Sequence, residues 1–195
     1  MSKDIKSKII TEAKKWWDAA VWAFVLAVFV RVLFFEPYKI PTASMVPTLM
    51  PGDKIFASKL HYGPRIPFIG LRIKGFSKPK RGDVIVFIAP PDPSKCYVKR
   101  LIGLPGERVL IRNGSIYING NPITDPKISK NFYYNAGEYG QEGKEILVPP
   151  KSFFVLGDNS ASSKDSRYWG FVPYKDLIGK AIFIWWPLKR IELIR

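Results

Sequence analysis

One long apolar run near the amino terminus constrains this chain more than any other feature. It begins at Trp16-Trp17-Asp18-Ala19-Ala20-Val21-Trp22, continues through Ala23-Phe24-Val25-Leu26-Ala27-Val28-Phe29-Val30, and closes with Arg31-Val32-Leu33-Phe34-Phe35. About 20 residues is the length an α-helix needs to cross a hydrocarbon core. A helix that is apolar all round spans a bilayer or sits at the centre of a protein larger than this one. Asp18 and Arg31 lie near the two ends, where a long arginine can snorkel to the interface, and Trp16, Trp17 and Trp22 suit an aromatic belt. The run is long for the apolar stretch of a cleavable leader. The expectation is an uncleaved transmembrane signal anchor over 16–35. Residues 1–15 carry Lys3, Lys6, Lys8, Lys14 and Lys15 against Asp4 and Glu12, so this tail should stay cytoplasmic. A long following domain crosses largely regardless of its charge. Residues 36–195 are therefore expected on the extracytoplasmic (periplasmic) side of an inner, cytoplasmic membrane that the chain crosses once.

Beyond the anchor the pattern changes to short apolar strands with turn residues between them. Asp53 to Ser58, Asp83 to Ala89, Tyr97 to Leu104, Glu107 to Arg112, Ser115 to Ile118, Glu145 to Val148, Ser152 to Leu156 and Ile178 to Trp186 all read as strands. Asn113-Gly114 is a strong hairpin signal, and Pro90-Pro91-Asp92-Pro93 should stop the strand before it. Residues 61–80 read as a long loop, 121–144 as a surface excursion and 157–169 as a polar loop. The fold class is mainly β: an antiparallel β-sheet domain behind one amino-terminal transmembrane helix.

Composition narrows the chemistry. A formal charge of +15 favours anionic partners, either nucleic acid or acidic lipid headgroups. The single cysteine, Cys96, excludes an internal disulfide, and with the single histidine, His61, it excludes the usual zinc ligand sets. Cys96 sits between Lys95 and Tyr97-Val98 and reads as a strand residue, while His61 reads as a surface or loop histidine. No metal or cofactor is expected.

A nucleophile has to come from elsewhere. Ser44 lies in Pro41-Thr42-Ala43-Ser44-Met45-Val46-Pro47-Thr48-Leu49. Proline fixes φ and removes an N–H donor, so this is no ordinary helix or central strand. An extended, rigid piece holding Ser44 in one direction is expected. Taken alone, Ser44 could equally be a turn or capping residue. Lys99 lies in the apolar strand Tyr97-Val98-Lys99-Arg100-Leu101-Ile102, on the face of Tyr97 and Leu101, with Arg100 pointing the other way. A lysine among apolar groups loses solvation of its charged form and can become a neutral base; it can also be an ordinary edge-strand lysine.

Four spaced motifs change those odds. Ser44-Met45-Val46-Pro47-Thr48-Leu49, Arg81-Gly82-Asp83-Val84-Ile85-Val86-Phe87, Tyr97 to Gly106, and Gly157-Asp158-Asn159 with Asp165-Ser166-Arg167 come in this order behind an anchor. Together with Glu36-Pro37-Tyr38-Lys39-Ile40-Pro41 they resemble the motif set of bacterial type I signal peptidase, or leader peptidase, over nearly the whole chain. The resemblance implies a membrane-bound serine endopeptidase that removes signal peptides from exported preproteins after small residues (Ala-X-Ala) through an acyl-enzyme. It implies Ser44 as nucleophile, Lys99 as general base, and Thr42 with the Ser44 N–H as oxyanion hole. Ser163 would orient the lysine amine, and Asp158, Asp165 and Arg167 would support the site, the last two as an ion pair. Ile40, Met45, Tyr97 and Val98 would wall pockets for small side chains. Its partners would be preproteins and anionic lipid, not nucleic acid, and a monomer is expected. Ala43, Glu107 and Ser160 depart from the commonest residues at their positions, and the run Ser160-Ala161-Ser162-Ser163 leaves open which hydroxyl touches Lys99. Three rival readings are an anchored β-domain that binds acidic polymers or lipid without catalysis, a self-cleaving Ser-Lys repressor-like protein, and an organellar signal peptidase.

Overall fold

The computed structural model describes residues 3–64 and 72–194, so part of the expected 61–80 loop lies outside the described residues. The first element is helix α1 (Lys3–Leu33). It begins well before the apolar run and stops short of Phe35. Among the described residues, no helix is long and apolar enough to cross a membrane. The apolar side chains described on α1 nevertheless have no protein cover: Trp16, Trp17, Trp22, Phe24 and Leu26 are all exposed.

Pro37 lies within the strand that follows the helix, β1 (Phe35–Lys39). That strand is a sheet edge, where a missing N–H breaks no ladder. The order continues with β2 (Lys54–Ser58), β3 (Val84–Ala89), β4 (Asp92–Gly103), β5 (Arg108–Arg112), β6 (Ser115–Ile118) and β7 (Asn121–Pro122). A one-turn helix α2 (Pro126–Ser129), β8 (Ile146–Leu147), β9 (Ser152–Leu156), a second short helix α3 (Ser166–Trp169), β10 (Val172–Pro173), β11 (Leu177–Trp186) and β12 (Glu192–Leu193) complete it.

Two antiparallel sheets result. The larger runs β1-β2-β11-β3-β4-β9-β10, with β12 added to β11; the smaller runs β7-β6-β5-β8. Asn113 and Gly114 both take positive φ, 50° and 76°, as the expected hairpin between β5 and β6 requires. The proline run after β3 does not end the pairing. Pro90 and Pro91 make the turn, and Asp92-Pro93 already belong to β4, with Ala89 opposite Asp92.

Alternation along the strands sorts the apolar residues into three clusters. One joins Ile102, Val109, Ile111, Ile116, Phe154 and Leu156 between the two sheets. Gly103 is required there: a Cβ would come within 2.6 Å of Val109 and 2.9 Å of Val148. The segment 121–144 is more than a surface excursion, because its Ile128 and Tyr133 are buried in this cluster. A second cluster packs Ile40, Met45 and Leu49 from the segment after β1 against Val84, Val86 and Val98. This contact fixes the Ser44 segment over the sheet. The third surrounds Phe87, Leu101 and Val155.

Candidate active site

The segment 41–49 is not extended. It folds as consecutive turns, with Val46 N–H donating to Ala43 O at 3.2 Å and Leu49 N–H to Met45 O at 2.9 Å. The φ that proline imposes suits a turn as well as an extended chain. Burial of Met45 and Leu49 tips the choice toward turns. Asn159 clamps the turn from the other side: its backbone N–H donates to Ser44 O at 3.1 Å and its side-chain amide to Ala43 O at 3.1 Å. Ser44 is 7% exposed. Among the described residues nothing accepts the Ser44 N–H.

Lys99 comes from the middle of β4 and is 5% exposed. Its Nζ lies 2.6 Å from Ser44 Oγ and 3.2 Å from Val98 O. Burial holds its pKa down to about 8; the Asp165 and Asp158 carboxylates oppose that shift and the Arg167 guanidinium adds to it. A charged amine donates to Ser44 Oγ. A neutral one presents its lone pair to the hydroxyl proton, which is the geometry of general base catalysis. Thr42 Oγ1 stands 3.3 Å from Ser44 Oγ on the open side.

Two buried ion pairs back the site. Arg167 Nε and Nη2 bind the two oxygens of Asp165 at 2.8 Å and 2.9 Å, which realises the expected pair. The rest of the guanidinium donates to Tyr134 O, Ser160 Oγ, Ser160 O and Ser163 O. Asp165 also accepts from Gly157 N–H at 3.0 Å. This network ties 121–144 to the loop that carries Ser163. The second pair was not foreseen. Arg100, pointing away from Lys99, binds Asp158 through Nε and Nη2, both at 2.7 Å, and Thr48 Oγ1 donates to the same carboxylate at 2.6 Å. A charged residue inside an apolar strand signals such a need, since a buried charge requires a partner. The partner is distant in sequence, and alternation cannot name it.

Of the run Ser160–Ser163, Ser160 binds Arg167 and donates nothing to Lys99, and Ser162 lines the cleft. The expected bond from Ser163 to the lysine amine is not formed: Ser163 Oγ is buried and without a hydrogen-bond partner among the described residues. It packs close to the nucleophile all the same. A Cβ on Gly157 would lie 2.3 Å from Ser163 Oγ and 2.4 Å from Ser44 O, so only glycine fits between them.

A cleft of about 520 Å³ opens from Ser44 and Lys99. All four predicted pocket residues, Ile40, Met45, Tyr97 and Val98, line it, together with Tyr38 and Cys96. Cys96 is exposed as a residue, but partial desolvation of its thiol and the nearby Glu36 carboxylate raise the pKa, so a thiolate nucleophile is disfavoured. His61 contacts Ser58 Oγ at 2.9 Å and is absent from the cleft lining. Among the described residues no group of His, Cys, Asp or Glu could hold a metal ion.

Comparison with known proteins gives a consistent result. The family model described as signal peptidase, peptidase S26, matches residues 13–186. A signal peptidase I of Buchnera aphidicola is 33% identical over 96% of this chain and 82% of its own length. One from Leptolyngbya laminosa is 38% identical over 86% of this chain and 76% of its own, and one from Rickettsia massiliae 34% identical over 94% and 84%. A crystal structure of a signal peptidase I from Enterococcus faecalis aligns with 53% of this chain and 97% of its own at 38% identity, with a TM-score of 0.45. The chain belongs to the S26 signal peptidase family and is a serine endopeptidase that cleaves signal peptides.

Proposed function

We propose that Ser44 and Lys99 form the catalytic dyad and that the enzyme cuts preproteins after Ala-X-Ala through an acyl-enzyme. The observation that carries this reading is the 2.6 Å approach of a buried, pKa-lowered amine to Ser44 Oγ at the end of a cleft. The neutral Lys99 amine takes the Ser44 hydroxyl proton as Oγ attacks the scissile carbonyl. The oxyanion is met by Ser44 N–H and Thr42 Oγ1. The Lys99 ammonium then protonates the leaving amine. In the second half the same amine deprotonates the water that attacks the ester. A neutral lysine amine keeps two N–H groups. Val98 O accepts one; the other would reach Ser163 Oγ, buried beside Ser44 and unpartnered in this structure, only after that hydroxyl moves toward the amine. Asp158, Asp165 and Arg167 act as positioning residues.

The substrate would lie as an added strand. On the side of β4 away from β3, pairing with β9 begins only at Arg100, which leaves the edge at Lys95–Val98 open beside the cleft. Alternate residues of an extended peptide face the same way. The alanine before the cut and the one two earlier would therefore both face the cleft walls that include Ile40, Met45 and Val98.

The uncovered apolar surface of α1 supports a single-pass anchor over 16–35, with residues 1–15 cytoplasmic and 36–195 extracytoplasmic. Phe35 and Leu193 are exposed and line one apolar groove with Ala23, Leu26 and Val30 of α1, a surface suited to a lipid interface, and the net charge of +15 suits anionic headgroups. In this arrangement a monomer is sufficient, because one chain supplies every residue of the site.

Cleavage of a preprotein with an Ala-X-Ala site by the full chain in detergent and lipid tests the reading. The parent should cut after the second alanine, and folded Ser44→Ala and Lys99→Ala variants should be inactive. Cutting by Ser44→Ala would remove Ser44 as nucleophile. A folded parent that never cuts this site would remove the proposed specificity.

A further inference from the structure

The cleft carries a charge that bond cleavage itself does not use. Besides Lys99 its lining contains Lys39, Lys95 and Lys164, and it contains no aspartate or glutamate. Lys95 is partly neutralised by Asp92 at 2.6 Å. Lys39 and Lys164 are exposed and have no acidic partner among the described residues.

Their positions bracket a bound peptide. Lys39 ends β1 and immediately precedes Ile40, a pocket wall. Lys95 precedes Tyr97 and Val98 on β4. Lys164 follows Ser163, whose hydroxyl packs beside the Ser44 carbonyl across Gly157. One pair of cations thus lines the cleft next to the pocket walls, and a third, Lys164, lines the same cleft as Ser44. In an extended substrate the small side chains face the pockets. The residue between them faces outward, toward the cleft rim where the ammonium groups lie.

We infer that Lys39 and Lys164 make this peptidase charge-selective, favouring preproteins with acidic side chains between the two small residues or just after the cut and disfavouring basic ones. The inference rests on the cleft being the substrate site, as proposed above. A carboxylate at the rim gains attraction from lysines that have no competing partner, while a substrate ammonium meets uncompensated like charge. Exposed pairs of this kind are individually weak and screened by salt, so the effect is a preference and not a gate.

Three peptides test it, carrying Glu, Gln or Lys both at X of Ala-X-Ala and at the second residue after the cut. At low salt kcat/KM should fall in the order Glu, Gln, Lys, with about fivefold between Glu and Gln. The Glu/Gln ratio should approach one in about 1 M salt, where the Debye length is roughly 3 Å. It should also approach one in the double variant Lys39→Gln/Lys164→Gln. A Lys127→Gln/Lys175→Gln variant, with the same net charge change away from the cleft, should keep the ratio. Equal cleavage of Glu and Gln peptides by the parent at low salt would overturn the inference while leaving the peptidase reading intact. So would a ratio unchanged by the Lys39/Lys164 pair, or one lost equally in the remote pair. Failure to cut the Gln peptide at all would instead contradict the proposed Ala-X-Ala specificity.

Discussion

Replacing Lys99 with methionine should abolish activity and yet stabilise the fold, by an amount that depends on pH. The ordinary lysine pKa is about 10.4. In the folded chain burial lowers it to about 8. As pH falls from above 10.4, the unfolded chain takes up this proton first, so native stability drops. The loss is complete below the folded pKa and constant from there on. From these two values the penalty is about 3 kcal/mol near pH 7 and about 1 kcal/mol near pH 9.5. Methionine keeps the unbranched shape and has no charge to desolvate. Loss of the contacts to Ser44 and Val98 offsets part of the gain, but nearly equally at both pH values. The stability advantage of Lys99→Met over the parent should therefore be about 2 kcal/mol larger near pH 7 than near pH 9.5. Urea unfolding of the full chain in micelles, followed by tryptophan fluorescence, measures both. An advantage that is the same at the two pH values, or larger at the higher one, would refute a desolvated Lys99.

Thr42→Val keeps the shape and removes one oxyanion donor, so kcat should fall by about 10²–10³ with little change in KM; steady-state kinetics decide, and an unchanged kcat would take Thr42 out of the oxyanion hole. Gly157→Ala puts a methyl group 2.4 Å from the Ser44 carbonyl oxygen, a backbone atom. The turn must shift, and kcat/KM should fall by about 10² or more in a chain that still unfolds cooperatively. Arg100→Leu leaves the buried Asp158 carboxylate without its cation and should cost about 3–5 kcal/mol, read as a drop in the urea midpoint. Adding Asp158→Leu should recover much of that loss; no recovery would mean the two groups do not act as a pair.

Local context alone left both Ser44 and Lys99 open to ordinary structural readings, and the proposed dyad became legible through the four spaced motifs and the family they resemble. Ser44 stands in a Pro-bounded run, and Lys99 interrupts an apolar strand whose alternation separates it from Arg100. The four cleft residues came from the family resemblance, and all four line the cleft. The Arg100–Asp158 pair was not legible, because its partners are 58 residues apart and only the folded sheet brings them together. The turns at 41–49 are not legible in the sequence because proline restricts φ without choosing ψ; burial of Met45 and Leu49 makes that choice. Residues 121–144 looked like surface because polar residues dominate them. Tyr133 and Ile128 enter the core from that background, and Tyr134 lends its carbonyl to Arg167. The continuation of pairing through Asp92-Pro93 was hidden by the proline run, which turns the chain without ending the ladder.

The most direct test of the central claim is the pH dependence of kcat/KM for a peptide with an Ala-X-Ala site. That quantity reports the ionisation of the free enzyme's essential base. With Lys99 as base, activity should rise through a single ionisation at about 8 and then level off, because only the neutral amine can accept the Ser44 proton. A profile that is flat across that range, or that falls as pH rises through it, would contradict the dyad.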